Sequence, residues 1–446
     1  MKRFTLRQIA GACGGKYVGD MSLIDTAVSS IERDSREIKE NSLFLAIKGE
    51  RVDGHDFIEK CFADGAVCAL CEKAVENASK PYILVDDTLK AVKKIAKAYR
   101  ELFDIPIVGI SGSVGKTSTK EMIAAVLSQK YNVHKTQGNL NNELGVPLTL
   151  FGMDDSTEAA VVEMGISGFG EMQRISEMVQ PTVEVITIIG ECHLENLGDR
   201  DGVFKAKTEM FENLRGGGTV VLNADDDKLA QVNEVKGKAP VFYGINGGSY
   251  RAENIKNNGV LGVDADLLYG GKRLSVTIPA IGTYMVANAL AAAAVGVELG
   301  LTDDEIKAGI SAYKTVGSRA NLIDTGKIKI IDDCYNANPT SVKASIDTLM
   351  NFDGRKVAIL GDMKELGENE LALHFEVGEY AKKCDVVIAV GPLSEKLAEG
   401  AGGSYFKTKD ELFKKLPEII NDGDVVLVKA SHSMAFEEIT AALKKL

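Results

Sequence analysis

The sequence lacks the features that would place the protein in a membrane, outside the cell or on a nucleic acid. It has no run of about 18 uncharged apolar residues, the length that a membrane-spanning helix needs. Lys2, Arg3 and Arg7 interrupt any apolar stretch that a secretory signal would require. Acidic residues outnumber basic ones by 64 to 52, which argues against bulk binding to nucleic acid. We therefore expect a cytoplasmic protein with no nucleic-acid partner and no membrane insertion.

Cysteine is present, but not in a pattern that indicates disulfides or a zinc site. The seven cysteines are an odd number, and without a secretory signal they favour reduced thiols. Cys68 and Cys71 form a C-x-x-C pair, which leaves a redox pair or half a zinc site as alternatives. The sequence has no second such pair, and the surrounding run 66–71 is apolar. We expect structural thiols within a strand.

The composition is that of a globular protein with several domains. With 446 residues, 45% of them apolar and 26% charged, the chain is long enough for about three domains of roughly 150 residues. Short apolar runs alternate with Gly, Asp and Asn turns up to residue 87, which predicts a small α/β domain at 1–87. The helical spacing of Val92, Ile95 and Tyr99 predicts a linking helix over 88–104.

From residue 105 onward, β-branched runs alternate with helical stretches. The runs are 108–111, 159–163, 183–189, 328–332, 356–360, 386–390 and 425–428. The alternation predicts doubly wound parallel sheets, whose ligands bind beyond the carboxyl ends of the strands. The predicted fold class is α/β with three domains: a small N-terminal domain at 1–87, a central P-loop ATPase domain at 88–318 and a Rossmann-like domain at 319–446.

A glycine-rich turn joins the first central strand to a helix. Ile107–Ile110 is apolar, and 111–117 has the sequence S-G-S-V-G-K-T. Glycines let backbone N–H groups approach phosphates, Lys116 can reach the β and γ oxygens, and the Thr117 hydroxyl can ligate Mg²⁺. The common eight-residue loop would have glycine in place of Ile110, and a turn without nucleotide is the alternative. The loop residues that we expect to bind ATP are Gly112, Ser113, Val114, Gly115, Lys116, Thr117 and Ser118.

Two further polar residues follow strands of the same predicted sheet. Glu163 ends the run V-V-E-M-G, where a nucleotide enzyme would want a second Mg²⁺ contact, although charged residues often end strands. His193 follows the run 183–189, and a lone histidine is usually structural. Neither residue decides the function without more context.

Several short motifs, each present once, are spread along almost the whole chain. They are Asp34-Ser35-Arg36, 49–57, 111–121, G-N-L-N-N-E-L-G-V-P-L-T at 138–149, 163–165, 190–207, Asn288, Arg319, 333–339, 360–363 and 429–434. This ordered set resembles the Mur ligases of peptidoglycan synthesis. The G-N-x-N-N segment resembles the corresponding segment in the branch of the family that adds D-alanyl-D-alanine to a UDP-linked tripeptide.

The resemblance implies a nucleotide site with two magnesium ions. In the family, the equivalents of Thr117, Glu163 and His193 hold magnesium, and a lysine at the position of Lys207 is carbamylated and helps to place a metal. From residue chemistry alone, Lys207 would be a solvated helix lysine. The residues implied to be catalytic are Lys116, His193, Lys207 and Arg319. Those implied to contact ATP outside the loop are Asn288, Arg319, Asp333, Tyr335 and Asn336, and those implied to contact the peptide substrate are Ser35, Arg36, Asn139, Asn141 and Asn142.

The resemblance also implies the reaction. ATP would phosphorylate the terminal carboxylate of UDP-N-acetylmuramoyl-tripeptide, and D-alanyl-D-alanine would then displace phosphate, in a step that serves cell-wall biogenesis, cell shape and division. The 1–87 domain would hold the uridine end. A monomer is expected, and the third residue of the tripeptide, diaminopimelate or lysine, is left open.

The sequence departs from the family pattern at four positions, and two other functions remain in view. Ile188 replaces an asparagine, Tyr284 a histidine, and Ala430 and His432 vary a K-G-S-R motif. We expect activity to be retained.

The alternatives are a related ligase, either the enzyme that adds the third stem residue or a folylpolyglutamate synthase, and a nucleotide-dependent switch that ligates nothing.

Overall fold

Four β-sheets with helices packed on them make up the described part of the chain. This computed structural model describes residues 1–49 and 51–446, so Glu50, within the motif segment 49–57, lies outside the described residues. One sheet belongs to the N-terminal part, two to the middle and one to the C-terminal part. No helix in the described ranges is long and apolar enough to cross a bilayer.

The N-terminal sheet is mostly parallel. Its strands are β1 (Lys16–Val18), β2 (Ile31–Glu32), β3 (Leu43–Leu45), β4 (Cys68–Cys71) and β5 (Tyr82–Leu84), and its helices are α1 (Leu6–Cys13) and α2 (Ile58–Ala63). The order is β1-β5-β4-β3-β2, with β1 antiparallel to β5. All seven cysteines of the chain are free and buried. Burial raises the pKa of Cys71 to about 11, so this thiol stays protonated at neutral pH.

Helix α3 (Thr88–Arg100) joins the N-terminal sheet to the middle of the chain, where the sequence predicts a linking helix. Arg100 at its end is 0% exposed. Its guanidinium donates to three carbonyl oxygens, those of Phe103, Val179 and Gln180, at 2.7, 2.8 and 3.1 Å. These bonds compensate for the cost of burying the charge and attach α3 to the central sheet.

The central sheet has six parallel strands. They are β6 (Ile107–Ser111), β7 (Val133–Lys135), β8 (Ala159–Glu163), β9 (Val183–Ile186), β10 (Thr219–Asn223) and β11 (Val241–Tyr243). Its helices are α4 (Lys116–Leu127), α5 (Gly145–Phe151), α6 (Glu171–Val179), α7 (Leu194–Leu197), α8 (Arg200–Thr208), α9 (Met285–Glu298) and α10 (Asp303–Ser311). The order is β11-β10-β9-β6-β8-β7. The order therefore reverses beside β6, and a ligand crevice is expected at the carboxyl ends of β6, β8 and β9.

A three-stranded antiparallel sheet in the middle of the chain was not predicted from the sequence. It consists of β12 (Arg251–Asn257), β13 (Val263–Tyr269) and β14 (Lys272–Ile278). Alternate residues of β13 are buried, and they pack with α9 in one apolar cluster. Gly270 and Gly271, both at positive φ, form the two-residue turn between β13 and β14.

The C-terminal sheet has six strands, and only the first of them, at one edge, is antiparallel to its neighbour. They are β15 (Asn321–Asp324), β16 (Lys329–Asp332), β17 (Lys356–Gly361), β18 (Val386–Val390), β19 (Ser404–Phe406) and β20 (Val425–Lys429), in the order β15-β16-β20-β17-β18-β19. The helices are α11 (Pro339–Met350), α12 (Glu370–Ala381), α13 (Ser394–Ala401), α14 (Lys409–Ile419) and α15 (Glu437–Leu443). Asn338 caps α11, its side chain accepting from Ser341 N at 2.8 Å, with Pro339 in the first turn.

Glu184, in the middle of β9, is a buried carboxyl group that should make stability depend on pH. It is 0% exposed, and neither oxygen has a hydrogen-bond partner among the described residues. Burial raises its pKa from 4.5 to about 9, so the folded protein keeps a proton that the unfolded chain releases. The free energy of unfolding therefore falls as the pH rises from 4.5 to about 9. At ~1.4 kcal/mol per pKa unit, the loss by pH 7 is about 3 kcal/mol relative to pH 4.5.

We expect Glu184→Gln to remove this dependence, because an amide does not titrate. The melting temperature of the variant relative to the parent should rise from about pH 5 to about pH 8. Glu234→Gln, at an exposed position, is the matched control and should leave the difference constant. Parallel pH curves for Glu184→Gln and the parent would show that Glu184 ionises without penalty.

Candidate active site

The turn between β6 and α4 carries the residues predicted to bind phosphate. Gly115, at φ +84°, occupies the N-cap of α4. The first N–H groups of a helix have no partner within it, and they favour an anion at that end. Lys116 Nζ donates to the carbonyl oxygen of Gly112 at 2.7 Å, which holds the ammonium over the turn.

Gly112 is required by close packing as well as by backbone conformation. Its φ is +144°, and a Cβ atom there would lie 1.9 Å from Thr187 Oγ1. Thr187 cannot move away easily, because its hydroxyl donates to Val114 O at 2.5 Å and its N–H to Ser111 O at 3.0 Å. The loop therefore depends on a threonine that follows β9.

Glu163, at the carboxyl end of β8, faces the start of α4. It is 2% exposed, and its Oε2 accepts from Thr117 Oγ1 at 2.8 Å. Its Oε1 accepts from Asn141 Nδ2 at 2.8 Å, and Lys120 Nζ lies 3.9 Å from Oε2. Two oxygen-bearing groups, one hydroxyl and one carboxylate, are thus held side by side.

The segment after β9 is bonded to the P-loop and carries His193. Ser113 N donates to Ile188 O at 2.8 Å, and Gly190 N donates to Ser113 Oγ at 3.0 Å. His193 has φ +53°, and its Nδ1 lies 2.5 Å from Glu365 Oε2. The pair is within ion-pair distance, but the ring nitrogen is not aligned for a hydrogen bond. The histidine thus lies where the middle and C-terminal parts of the chain meet.

Lys207 is buried within α8, contrary to the solvated position that residue chemistry alone suggests. It is 1% exposed, and no acidic residue in the described ranges forms an ion pair with it. Burial lowers the pKa of its ammonium to about 8, and the nearby Lys116 charge acts in the same direction. At neutral pH, a larger fraction of Lys207 than of an ordinary exposed lysine is therefore the neutral, nucleophilic amine.

The C-terminal part contributes a cluster of charged and aromatic groups. Arg319 stacks on the Tyr335 ring, with the guanidinium carbon 3.6 Å from the ring centroid. Lys429 Nζ is 3% exposed at its side chain and lies 2.6 Å from Asp333 Oδ2. Asp333 Oδ2 also accepts from Ser345 Oγ at 2.6 Å. These bonds fix the Asp333 carboxylate next to the stacked pair.

A single cavity of about 550 Å³ brings these groups together. The predicted site residues that line it are Ser113, Val114, Gly115, Lys116, Thr117, Ser118, Asn141, Asn142, Glu163, His193, Asn288, Arg319, Asp333, Tyr335 and Asn336. Asn288, on α9, accepts a hydrogen bond from Thr119 Oγ1 at 3.0 Å. The cavity is large enough for a nucleotide-sized ligand and is lined by both sheets.

Comparisons with known proteins identify the family. Three family models match: the Mur ligase family catalytic domain at 27–100, the Mur ligase middle domain at 110–296 and the Mur ligase glutamate ligase domain at 318–432. The chain is 37% identical to a UDP-N-acetylmuramoyl-tripeptide--D-alanyl-D-alanine ligase of Bacillus subtilis, over 94% of this chain and 93% of that one. The chain belongs to the Mur ligase family, in its MurF branch.

Solved MurF structures agree with the fold of this Mur ligase. MurF from Acinetobacter baumannii matches over 100% of both chains with a TM-score of 0.93 and 31% identity. MurF from Thermotoga maritima, solved in complex with ADP, has a TM-score of 0.84 and 30% identity over 93% of this chain and 97% of that one. The predicted family and fold class are confirmed.

Five predicted site residues of this Mur ligase do not line the cavity. Gly112 packs against Thr187, and the Lys207 side chain is buried on one face of α8. Asn139 is exposed in a turn before α5. Ser35 and Arg36 follow β2 in the N-terminal part, where Arg36 Nη2 lies 2.6 Å from Asp34 Oδ2. The substrate contacts of Ser35, Arg36 and Asn139 stay predictions.

Two of the four departures from the family pattern line the cavity of this Mur ligase. Ile188 and Tyr284 both contribute to its wall, and burial raises the pKa of the Tyr284 hydroxyl above its ordinary value. The ring centroids of His432 and Tyr335 lie 5.4 Å apart, and Ala430 is fully buried. Ile188 still supports the P-loop, since its contact with Ser113 uses only the backbone.

Sequence reasoning missed three charged residues of the site. Lys120 is 1% exposed and donates to Thr136 O at 2.7 Å beside Glu163, although α4 is a helix whose lysines would ordinarily be solvated. Lys429 begins the motif 429–434, but nothing in that motif marks it as a site residue. Glu365 reaches His193 across 172 residues of sequence, which no local pattern reveals.

The donors in the cavity suit magnesium better than zinc or calcium. No group of three or more metal-binding His, Cys, Asp or Glu side chains occurs in the described part of the chain. Magnesium typically takes one or two carboxylates and completes its shell with substrate phosphates and water. Thr117 and Glu163, beside a phosphate-binding loop, fit that pattern, and His193 offers a ring nitrogen in the same cavity.

Proposed function

We propose that this MurF-branch ligase joins D-alanyl-D-alanine to UDP-N-acetylmuramoyl-tripeptide at the expense of ATP. The observation that carries the proposal is the cavity in which the P-loop, Glu163 and the Arg319–Tyr335 pair lie together. A nucleotide switch would need only the first of these. The B. subtilis relative bears the name of this activity, and the T. maritima structure contains ADP, which supports both parts of the proposal.

In the first step, a terminal carboxylate oxygen of the tripeptide attacks the γ-phosphorus of ATP. The bond to the β-phosphate oxygen breaks, ADP leaves, and an acyl phosphate remains. Lys116 and Arg319 would neutralise the phosphate oxygens from opposite sheets, while the α4 N-terminus binds the phosphates. Phosphoryl transfer depends mainly on positioning and charge, so no protein nucleophile is needed.

Thr117, Glu163 and His193 would hold magnesium, which when bound supplies positive charge to the phosphate oxygens. Lys207 would act as a carbamate, because a neutral buried amine can add to the carbon of carbon dioxide: the N–C bond forms, one C=O π bond breaks to leave a carboxylate, and the nitrogen releases a proton to solvent. The lowered pKa of Lys207 and its lack of an acidic partner in the described chain support that reaction.

In the second step, the amine of D-alanyl-D-alanine attacks the acyl carbon, phosphate leaves, and the amine loses a proton. We propose that the 1–87 domain holds the uridine end and that the 319–446 domain carries the dipeptide to the 88–318 domain. Asn288 would contact adenine, and Asp333 and Tyr335 the nucleoside, while Ser35, Arg36, Asn139, Asn141 and Asn142 would contact the peptide substrate. We further propose a cytoplasmic monomer.

The proposal is tested by incubating the protein with ATP, Mg²⁺ and UDP-N-acetylmuramoyl-tripeptide, with and without D-alanyl-D-alanine. Tripeptides ending in diaminopimelate and in lysine are supplied separately, and products are followed by mass spectrometry. We expect ADP and a dipeptide-extended product that appears only when D-alanyl-D-alanine is present. ATP hydrolysis without an extended product from either tripeptide would overturn the proposal in favour of a nucleotide switch.

A further inference from the structure

We infer that Glu365, from the C-terminal part of the chain, is a positioning residue for the metal-binding histidine His193. The inference rests on the proposed function, in which His193 is a magnesium ligand. It adds that a carboxylate from the C-terminal part of the chain orients one ligand of that metal site. The site would then reach full affinity only when the C-terminal sheet is docked.

The contact occupies one ring nitrogen and leaves the other free. Glu365 Oε2 lies 2.5 Å from His193 Nδ1, while His193 itself lines the cavity. Metal-bound histidines commonly give their second ring N–H to a carboxylate, which fixes the tautomer and the ring orientation. In this structure His193 Nδ1 is not aligned for that hydrogen bond, so the inference rests on the 2.5 Å contact itself, which leaves Nε2 for the ligand.

The backbone around Glu365 is held in an unusual conformation. Glu365 has φ +64°, in the left-handed region that residues other than glycine seldom adopt. The two residues before it are fixed by buried partners: Met363 N donates to His374 Nε2 at 2.9 Å, and Lys364 N donates to Ser431 Oγ at 2.9 Å. The loop therefore presents the carboxylate from a rigid base.

A second contact holds the same segment of the central domain. Thr340 Oγ1 donates to Glu191 Oε2 at 3.0 Å, two residues before His193. Gly190 packs so closely on Thr340 that a Cβ atom would lie 2.7 Å from Thr340 Oγ1. The C-terminal part thus contacts the His193 segment from the first turn of α11 and from the Glu365 loop, and separation of the sheets would withdraw both together.

Stability does not explain the Glu365 contact. The His193 side chain is 23% exposed and that of Glu365 is 56% exposed. An ion pair this accessible is screened by water and contributes little to folding. Its effect should instead appear in the orientation of His193 and in metal affinity.

The test compares Mn²⁺ binding by the parent, Glu365→Gln and Glu368→Gln, each saturated with a non-hydrolysable ATP analogue. Binding is measured by electron paramagnetic resonance of free Mn²⁺. We expect Glu365→Gln to bind at least about tenfold more weakly, as loss of such a partner usually produces. Glu368→Gln changes an exposed residue three positions further along the chain, in the short 3₁₀ helix Gly367–Asn369, and should match the parent.

A double-variant comparison separates positioning from general disturbance. In a His193→Ala background, Glu365→Gln should cause no further loss, because its effect passes through the imidazole. Equal Mn²⁺ affinity of Glu365→Gln and the parent, or an equal loss in both backgrounds, would overturn the inference. If the parent still forms the extended product, only this inference fails; if the parent forms none, the proposed function fails.

Discussion

Lys116→Ala should lower kcat by about 1,000-fold or more, which corresponds to ~4 kcal/mol of transition-state stabilisation. Its ammonium is the cation on the P-loop itself, at the N-terminal end of α4. Charge develops on the γ-phosphate oxygens as the phosphoryl group is transferred, and no neighbouring residue of the loop can supply a replacement charge. Turnover is measured as ADP release coupled to formation of the extended product.

The same substitution should leave the fold intact. The only hydrogen bond of Lys116 Nζ in the described chain is to Gly112 O in its own loop, so its loss should cost about 1 kcal/mol or less. Lys256→Ala, at an exposed lysine of β12, is the control for loss of a positive charge. Near-normal kcat for Lys116→Ala would remove the proposed phosphate role.

Lys207→Ala should lower activity by about 100-fold or more, and a short-chain carboxylic acid should restore part of it. The added carboxylate would occupy the space left by the side chain and replace the two oxygens of a carbamate. Activity is measured across a range of acid concentrations and should rise to a plateau.

Lys205→Ala is the matched control, because Lys205 is an exposed lysine two residues earlier on the same helix. It should retain activity and show no response to the acid. Full activity of Lys207→Ala without added acid would reject a catalytic carbamate. Loss of activity that no acid restores, with an unchanged melting temperature, would assign Lys207 a role as an amine instead.

The parallel sheets were predictable because their strands are short, uniformly apolar runs between helical segments. β8 and β18 match their predicted bounds, and β6 begins one residue earlier than the run that predicts it. The predicted run 183–189 is longer than β9, since the chain turns toward the P-loop after Ile186. The antiparallel sheet also has a local sequence signal: Val263, Ala265, Leu267 and Tyr269, which are buried, alternate with less buried residues before a Gly-Gly turn.

The site was predictable where one loop carries it and not where distant segments meet. The P-loop residues are neighbours in sequence, so their spacing alone indicates phosphate binding. Lys207 could have been placed in the core, because Val203, Ala206 and Lys207 share one face of α8 at helical spacing. Glu365 could not, because its contact with His193 depends on how two sheets pack.

The central claim is that ATP activates the terminal carboxylate of the tripeptide, and oxygen-isotope transfer tests it most directly. UDP-N-acetylmuramoyl-tripeptide with ¹⁸O in both oxygens of that carboxylate is incubated with ATP, Mg²⁺ and D-alanyl-D-alanine, and the inorganic phosphate is analysed by mass spectrometry. An acyl phosphate leaves one ¹⁸O atom in each phosphate and one in the new amide, with ADP as the nucleotide product. Phosphate free of ¹⁸O, alongside extended product, would contradict the account.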